Sequence, residues 1–397
     1  MWKSLSPKDL DLSPNLPQDP ANLALRLALE LGFDLAGLAP LRAPRDGEHF
    51  KRWLAAGNHA DMAWLERNAE RILAPGQVLH GEEGGPGCLL VVGMGHHRAP
   101  VELPGGGRIA RYAAGRDYHN RMGKLLKKLA KRLAEAGLAG RWRGIVDAGP
   151  ILERSHAEEA GLGFLSKAAN LLHPDMGPWF FLGELLLDVD LTVYQAVPTP
   201  PPGSCGTCTA CIDACPTVAI TAPGVVDANR CISYQTIENR GQVPRELRPL
   251  MGQWVFGCDI CSEVCPWGSK APDHSEGWGT HPAVAEGSLM GWLAQGDGGF
   301  REHFRGSPLS RPGRVGLARN AAIVLGNAPQ EGGAAALKAA LDDDSPVLRE
   351  TAGWALARAH GQDSGTRAAI ERALAREEDE QAAESLRQSL DESQVGP

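Results

Sequence analysis

The chain has 397 residues, of which 43% are hydrophobic and 22% charged. At about 100–200 residues per domain this length predicts roughly two to four domains with a real core, and the composition excludes a disordered or fibrous chain. Forty Lys and Arg against 48 Asp and Glu give a net charge of -8, so a nucleic-acid partner has to be held by a local basic surface, not by the overall field.

Residues 1–20 are rich in Pro, Asp and Ser and carry no apolar h-region, so they read as a flexible leader without a secretory signal. No apolar run reaches the ~18–20 residues that span a bilayer, and the chain is expected to be cytoplasmic. NLALRLALELGF (22–33) has helical apolar spacing, and FDLAGLAPL reads as a short strand. CLLVVGMG (88–95) fits a buried strand, and RMGKLLKKLAKRLAEAG (121–137) an amphipathic helix closed by Gly137. GIVDAGP (144–150) is strand-like up to Gly149-Pro150, ILERSHAEEAGLG is helical, and LLLDVDLTVYQAV (185–197) is a further strand. Strands alternating with helices over 21–200 predict an α/β domain.

PTPPPG (198–203) marks a boundary, because consecutive prolines suit neither a helix nor a central strand. A cysteine-rich module follows over 201–275, and 276–309 shows no sustained period and reads as a connector. The tail, 310–390, repeats: RNAAIVLG begins at Arg319, RETAGWALA at Arg349 and EQAAESLRQ at Glu380, spacings of 30 and 31. Second helical patterns lie between them, AAALKAAL (334–341) and RAAIERAL (367–374), so three aligned copies favour HEAT-like repeats over a plain bundle of Ala-rich helices.

Eight of the nine cysteines fall between Cys205 and Cys265. Cys205, Cys208, Cys211 and Cys215, followed by Pro216, make the bacterial ferredoxin run C-x2-C-x2-C-x3-C-P, in which the fourth thiolate serves the other cluster. By the same crossing, one 4Fe–4S cluster takes Cys205, Cys208, Cys211 and Cys265, and the second takes Cys215, Cys231, Cys258 and Cys261. Zinc is the rival, since C-x2-C pairs also build four-thiolate structural sites, but zinc has no need of the triple run. Two adjacent clusters imply one-electron carriage, and about 200 residues ahead of them are far more than a carrier needs.

VDAGPILER (146–154), AGLGFLSKAANLLHP (160–174), GPWFFLGELLLD (177–188), CGTCTACIDACPT (205–217), CISYQTIENRG (231–241) and GCDICSEVCPW (258–267) together resemble the epoxyqueuosine reductase family, over nearly the whole chain from about residue 20. The resemblance implies a cobalamin-binding domain like that of reductive dehalogenases, joined to a ferredoxin-like module with two 4Fe–4S clusters and the helical tail. It implies removal of the epoxide oxygen of epoxyqueuosine at the tRNA wobble position. It assigns the proton donor to Asp147, which then needs a pKa raised by burial at the end of its apolar strand. Cobalamin contacts carry over to Arg111, Tyr112, Asp147, Ser166, Lys167, Asn170, Ser233 and Asp259. The chain departs from the family pattern in lacking a histidine after Lys167 and in having His173 where asparagine precedes Pro174. His96, His97, His119 and His156 receive no role.

Eleven Lys and Arg between Arg108 and Arg143, against Asp117 and Glu135, offer a basic surface for tRNA phosphates. Arg301, Arg305, Arg311, Arg314 and Arg319 form a second group beside a tail whose concave face suits an anticodon stem. The expected partners are tRNA carrying epoxyqueuosine and an electron donor, with no membrane, and the chain is taken as a monomer. Two other readings are a small-molecule cobalamin reductase and a non-enzymatic two-cluster electron carrier.

Overall fold

In a computed structural model of the chain, residues 19–104, 106–194 and 203–395 are described; residues 1–18 of the expected leader and 198–202 of the proline run lie outside them. Four strands form the first sheet: β1 (Leu35–Pro40), β2 (Cys88–Gly95), β3 (Trp142–Ile145) and β4 (Phe180–Leu187), in the order β1-β2-β4-β3. Helices separate the strands in sequence as expected, yet every neighbouring pair is antiparallel.

Helices cover both faces of this sheet, which is why β2 is a continuous apolar run and not an alternating one. Cys88, Leu90, Val92 and Met94 of β2 face a core built with helices Pro20–Glu30 and Tyr118–Glu135. Leu89 and Val91 face the opposite core, shared with Ala157 of helix Glu153–Glu159. The helix Tyr118–Glu135 buries Met122, Leu126, Leu129, Ala130 and Leu133, one stripe at helical spacing, and Asp117 caps its start by accepting the His119 N–H at 2.9 Å.

Two strand boundaries differ from the sequence reading. The 144–150 stretch leaves the sheet after Ile145, because Asp147 adopts φ +59°, a left-handed conformation no strand holds. The 185–197 stretch is divided: β4 begins earlier, at Phe180, and ends at Leu187, and Leu191–Tyr194 form a 3-10 turn. Residues 195–197 lie outside the described residues.

The cysteine module joins the first domain through Trp254–Phe256, which pairs in parallel with Arg108–Ile109. The 276–309 stretch is no plain connector. It folds into short helices, including Leu289–Leu293 and Asp297–His303, and buries Trp292, Phe300 and Phe304. Aromatic packing (Trp292 and Phe304 centroids 5.5 Å apart) stabilises it where periodicity is missing. The tail consists of helices Gly313–Asn327, Gly333–Ala340, Pro346–His360, Ser364–Leu374 and Glu380–Val395. One core runs from Ile109 and Phe256 through Trp292 to Leu390, so first domain, cysteine module and tail are not separable blocks. Among the described residues no helix is long and apolar enough to cross a membrane.

A buried ion pair pins the tail to the module. Both Glu350 oxygens accept from Arg248 at 2.9 Å, with side chains 0% and 1% exposed, and Ser385 and Thr351 hydroxyls also donate to that carboxylate. Such a pair is weak evidence of net stabilisation, but removing one partner strands a buried charge. Glu350→Ala is expected to cost about 3–5 kcal/mol in denaturant unfolding, and Arg248→Met with Glu350→Leu together much less. Equal losses in the single and double variants would refute that assignment.

Candidate active site and thiol groups

The eight clustered thiols line two adjoining hollows. Cys205, Cys208, Cys211, Cys261 and Cys265 line one small cavity of about 50 Å³. Cys205, Cys215, Cys231, Cys258 and Cys261 lie on the wall of a much larger cleft of about 1110 Å³, so Cys205 and Cys261 face both. Among the described residues no three His, Cys, Asp or Glu side chains converge on a single ion-sized position. The chain turns sharply around the sulfurs. Gly206 sits at φ +49° directly after Cys205. Gly257, at φ +65°, precedes Cys258 where a Cβ would come within 2.5 Å of the Ala110 Cβ. Backbone N–H groups of Lys167 and Ala219 donate to Cys205 Sγ at 3.4 Å and Cys215 Sγ at 3.3 Å, the contacts that tune a cluster's potential. Burial pushes the Cys261 thiol up to about 12 and raises Cys258 further. Cys88 is apart from these, buried in β2, where its thiol donates to the Val189 carbonyl at 3.2 Å.

The large cleft exceeds the ~300–1,000 Å³ of ordinary small-ligand pockets, so it has room for a macrocycle-sized cofactor. Tyr112, Asp147, Ser166, Lys167, Asn170, Ser233 and Asp259 all line it. Arg111 does not. Its guanidinium is taken up by Glu263 at 3.1 Å, His97 at 3.1 Å and the face of Trp179 at 4.4 Å, and its backbone N–H donates to Asp259 at 2.7 Å. Arg111 thus stands behind the cleft wall with its guanidinium already paired. Lys167 is also committed: its ammonium donates to the Gly206 carbonyl at 2.8 Å and the Cys208 carbonyl at 3.0 Å, tying the loop to the cysteine run. Asn170 donates to Ser262 at 3.3 Å, beside Cys261. Burial pushes Asp259 up to about 6, against the pull of the Arg111 amide and guanidinium.

Asp147 opens into the cleft with its side chain 64% exposed, and its carboxylate accepts from Tyr118 Oη at 3.0 Å and meets His119 Nε2 at 3.4 Å. Tyr118 is held in place by stacking on Phe181 at 4.1 Å. The raised pKa expected from burial is not found. Burial does push upward, but the hydrogen bond and charge of His119, then the Tyr118 hydroxyl, outweigh it and leave Asp147 below its ordinary value. His119 carries the opposite shift. Burial opposes its charge, yet hydrogen bonds to Asp117 (2.7 Å) and Asp147 bring it up to about 9. Asp117, His119 and Asp147 thus form a row in which the imidazolium holds the proton at neutral pH. The sequence reading left His119 without a role, though Asp117-Tyr118-His119 at a helix start was a visible signal.

The basic stretch is partly spent internally. Arg108 pairs with Glu263 at 2.9 Å and Arg132 with Glu30 at 2.8 Å, whereas Lys124, Lys127, Lys128 and Arg116 are exposed. In the second group Arg301 and Arg305 are exposed, Arg314 pairs with Asp343 at 2.7 Å, and Arg311 with Glu238 at 3.0 Å. Arg319 is a correction. It is 0% exposed and donates to backbone carbonyls of Gln235, Asn239 and Gly241, so it cannot touch a phosphate.

A raised histidine pKa contributes stability that is fully present below the free value near 6.5 and lost as pH rises through about 9. NMR titration of the His119 ring is expected to show that upward shift, and Asp117→Asn to bring it down. A ring titrating near 6.5 in the unaltered chain would contradict the row.

Comparison with known proteins follows the same division of the chain. Residues 204–268 match the family model for a 4Fe-4S double cluster binding domain, and residues 88–148 that described as "Epoxyqueuosine reductase QueG, DUF1730". An epoxyqueuosine reductase of Xanthomonas campestris pv. campestris is 41% identical over 358 residues, 86% of this chain and 98% of its own. A crystal structure of epoxyqueuosine reductase with a tRNA-Tyr epoxyqueuosine-modified stem loop superposes with TM-score 0.82 at 26% identity, covering 94% of this chain and 98% of that one. A Bacillus subtilis epoxyqueuosine reductase, with an Asp-bearing catalytic loop swung out of the active site, also matches at TM-score 0.82 and 26% identity, over 93% and 98% of the two chains. With that identity and coverage, the chain belongs to the epoxyqueuosine reductase family.

Proposed function

We propose that the chain reduces epoxyqueuosine to queuosine at the tRNA wobble position, using cobalamin and two 4Fe–4S clusters, with Asp147 delivering the proton. The observation that carries this reading is the shared cleft: the Asp147 carboxylate and the thiols of Cys215, Cys231, Cys258 and Cys261 open onto the same space. Cys205, Cys208, Cys211 and Cys265 would hold the outer cluster. Tyr112, Ser166, Asn170, Ser233 and Asp259 would hold cobalamin, through polar groups that line a cleft of sufficient size. When bound, these groups supply one-electron carriage and a strongly reducing, nucleophilic metal centre, the chemistry that side chains lack.

The protein's own share is binding and proton delivery. Loss of an epoxide oxygen as water consumes two electrons and two protons. An ionised Asp147 cannot give a proton from its own oxygen, so His119, whose Nε2 lies 3.4 Å from Asp147 Oδ2, supplies one proton through it, and solvent supplies the second. A cofactor and a base filling the cleft would strip water from Asp147, which favours moving that proton onto the carboxylate.

Exposed Lys124, Lys127 and Lys128, with Arg301 and Arg305, are the phosphate contacts we favour for a tRNA stem. The tail's paired helices are read as HEAT-like repeats cradling that stem. The wobble base would enter the cleft splayed from its loop. We place the reaction in the cytoplasm and take the chain as a monomer.

Anaerobic reconstitution with cobalamin and a reductant, then nucleoside analysis of epoxyqueuosine-bearing tRNA, is expected to show queuosine. Asp147→Asn is expected to keep both clusters and cobalamin and to lose about 10²–10⁴ of the rate. No conversion by an intact holoenzyme would end this reading, and full activity of Asp147→Asn would move the proton donor elsewhere.

A further inference from the structure

The run CGTCTACIDAC (205–215) carries four thiols and one acid, Asp213, and contains no Lys or Arg. Asp213 is exposed and accepts a hydrogen bond from the Thr209 hydroxyl at 2.7 Å. Glu263, just ahead of Cys265, is taken up by Arg108 at 2.9 Å and Arg111 at 3.1 Å. Cys205 to Cys208 form a turn, closed by the Cys208 N–H on the Cys205 carbonyl at 2.9 Å. A cation at this turn has to come from elsewhere in the chain.

Lys167 supplies it, from 38 residues before Cys205. Its ammonium donates to the Gly206 carbonyl at 2.8 Å and to the Cys208 carbonyl at 3.0 Å. Its backbone N–H donates to Cys205 Sγ at 3.4 Å. One residue thus meets the same turn twice, with a neutral donor on sulfur and with a full charge. Its loop is itself held. The Ser166 N–H donates to the Asn170 carbonyl at 2.8 Å, and Asn170 Nδ2 donates to Ser262 Oγ at 3.3 Å.

Gly206 and Cys208 are exposed, and water would satisfy their carbonyls at little cost. What a lysine adds there, and water does not, is a fixed positive charge. A 4Fe–4S core held by four thiolates is an anion, and reduction adds a further negative charge to it. Net charge and hydrogen bonds to the sulfurs set the potential of such a cluster. A cation held beside it therefore favours the reduced form.

We propose that the Lys167 ammonium raises the reduction potential of the outer cluster, by fixing a positive charge on the turn that carries Cys205 and Cys208. The proposal rests on reading Cys205, Cys208, Cys211 and Cys265 as the ligands of that cluster. It gives Lys167 a part in electron entry, which is separate from the proton delivery at Asp147.

An anaerobic redox titration of the reconstituted holoenzyme, followed by electron paramagnetic resonance, tests this without turnover. Iron and sulfide are counted first in every variant, so that loss of a cluster is not mistaken for a shift. Lys167→Gln keeps a donor for the carbonyls and removes the charge, Lys167→Met removes both, and Lys167→Arg keeps both. Lys167→Gln and Lys167→Met are expected to lower one of the two midpoint potentials by about 59 mV, a tenfold change for one electron, and the other much less. Lys167→Arg is expected to restore the potential. Midpoints unmoved in Lys167→Gln, or both lowered equally, would overturn the assignment. So would a fall in Lys167→Met alone, which would make the hydrogen bonds the cause and not the charge. Lys167→Gln decides the matter if Lys167→Met does not take up its clusters. An unaltered chain that takes up no iron defeats the cluster reading itself, a result distinct from complete clusters whose midpoints do not move.

Discussion

Electrons and protons have to reach one cleft, and that requirement organises this molecule. Cys215, Cys231, Cys258 and Cys261 stand on one wall of the cleft, and the Asp147 loop forms part of another. Each wall belongs to a different part of the chain, so the cleft exists only if those parts are fixed against one another. The parallel pairing of Trp254–Phe256 with Arg108–Ile109 does this on one side. Arg319 does it on the other, spending a buried guanidinium on the carbonyl of Gln235, within the helix Ile232–Ile237 that follows Cys231, and on those of Asn239 and Gly241 just beyond it. A charge in such a place is costly unless its donors are met, and here backbone and Asn320 meet them. The tail is therefore a brace for the cysteine module as well as a surface.

Electrostatics on the opposite wall follow from proximity more than from burial. Asp147 lies open enough to the cleft that its neighbours decide its state: the Tyr118 hydroxyl at 3.0 Å and, at 3.4 Å, a histidine whose pKa is raised by Asp117. In the function proposed above, such a row would hold a proton beside the cleft. Behind the loop burial dominates: Glu184, in the middle of β4, is 0% exposed, and that pushes its carboxyl well above the ordinary range.

Much of this was legible in the sequence, for identifiable reasons. β2 was readable because both its faces are covered, which makes an uninterrupted apolar run. The Tyr118–Glu135 helix was readable from its stripe and its Asp117 cap, and the cysteine run from spacing alone. What escaped was pairing across long separations. Nothing in a linear reading links His119 to Asp147 or Arg111 to Glu263, and each of these pairs reassigns a charge. Arg319 looked like surface because arginine usually is, yet its carbonyl partners come from a loop about 80 residues earlier. The 276–309 stretch looked irregular because its order comes from Trp292, Phe300 and Phe304 meeting in space.

The proposal that the eight clustered thiols hold two 4Fe–4S clusters carries everything else, and its most direct test is the metal content of the chain purified without oxygen. Iron and acid-labile sulfide of roughly eight each per polypeptide, without stoichiometric zinc, is the expected result. About four of each, or zinc in the thiol sites, would contradict it.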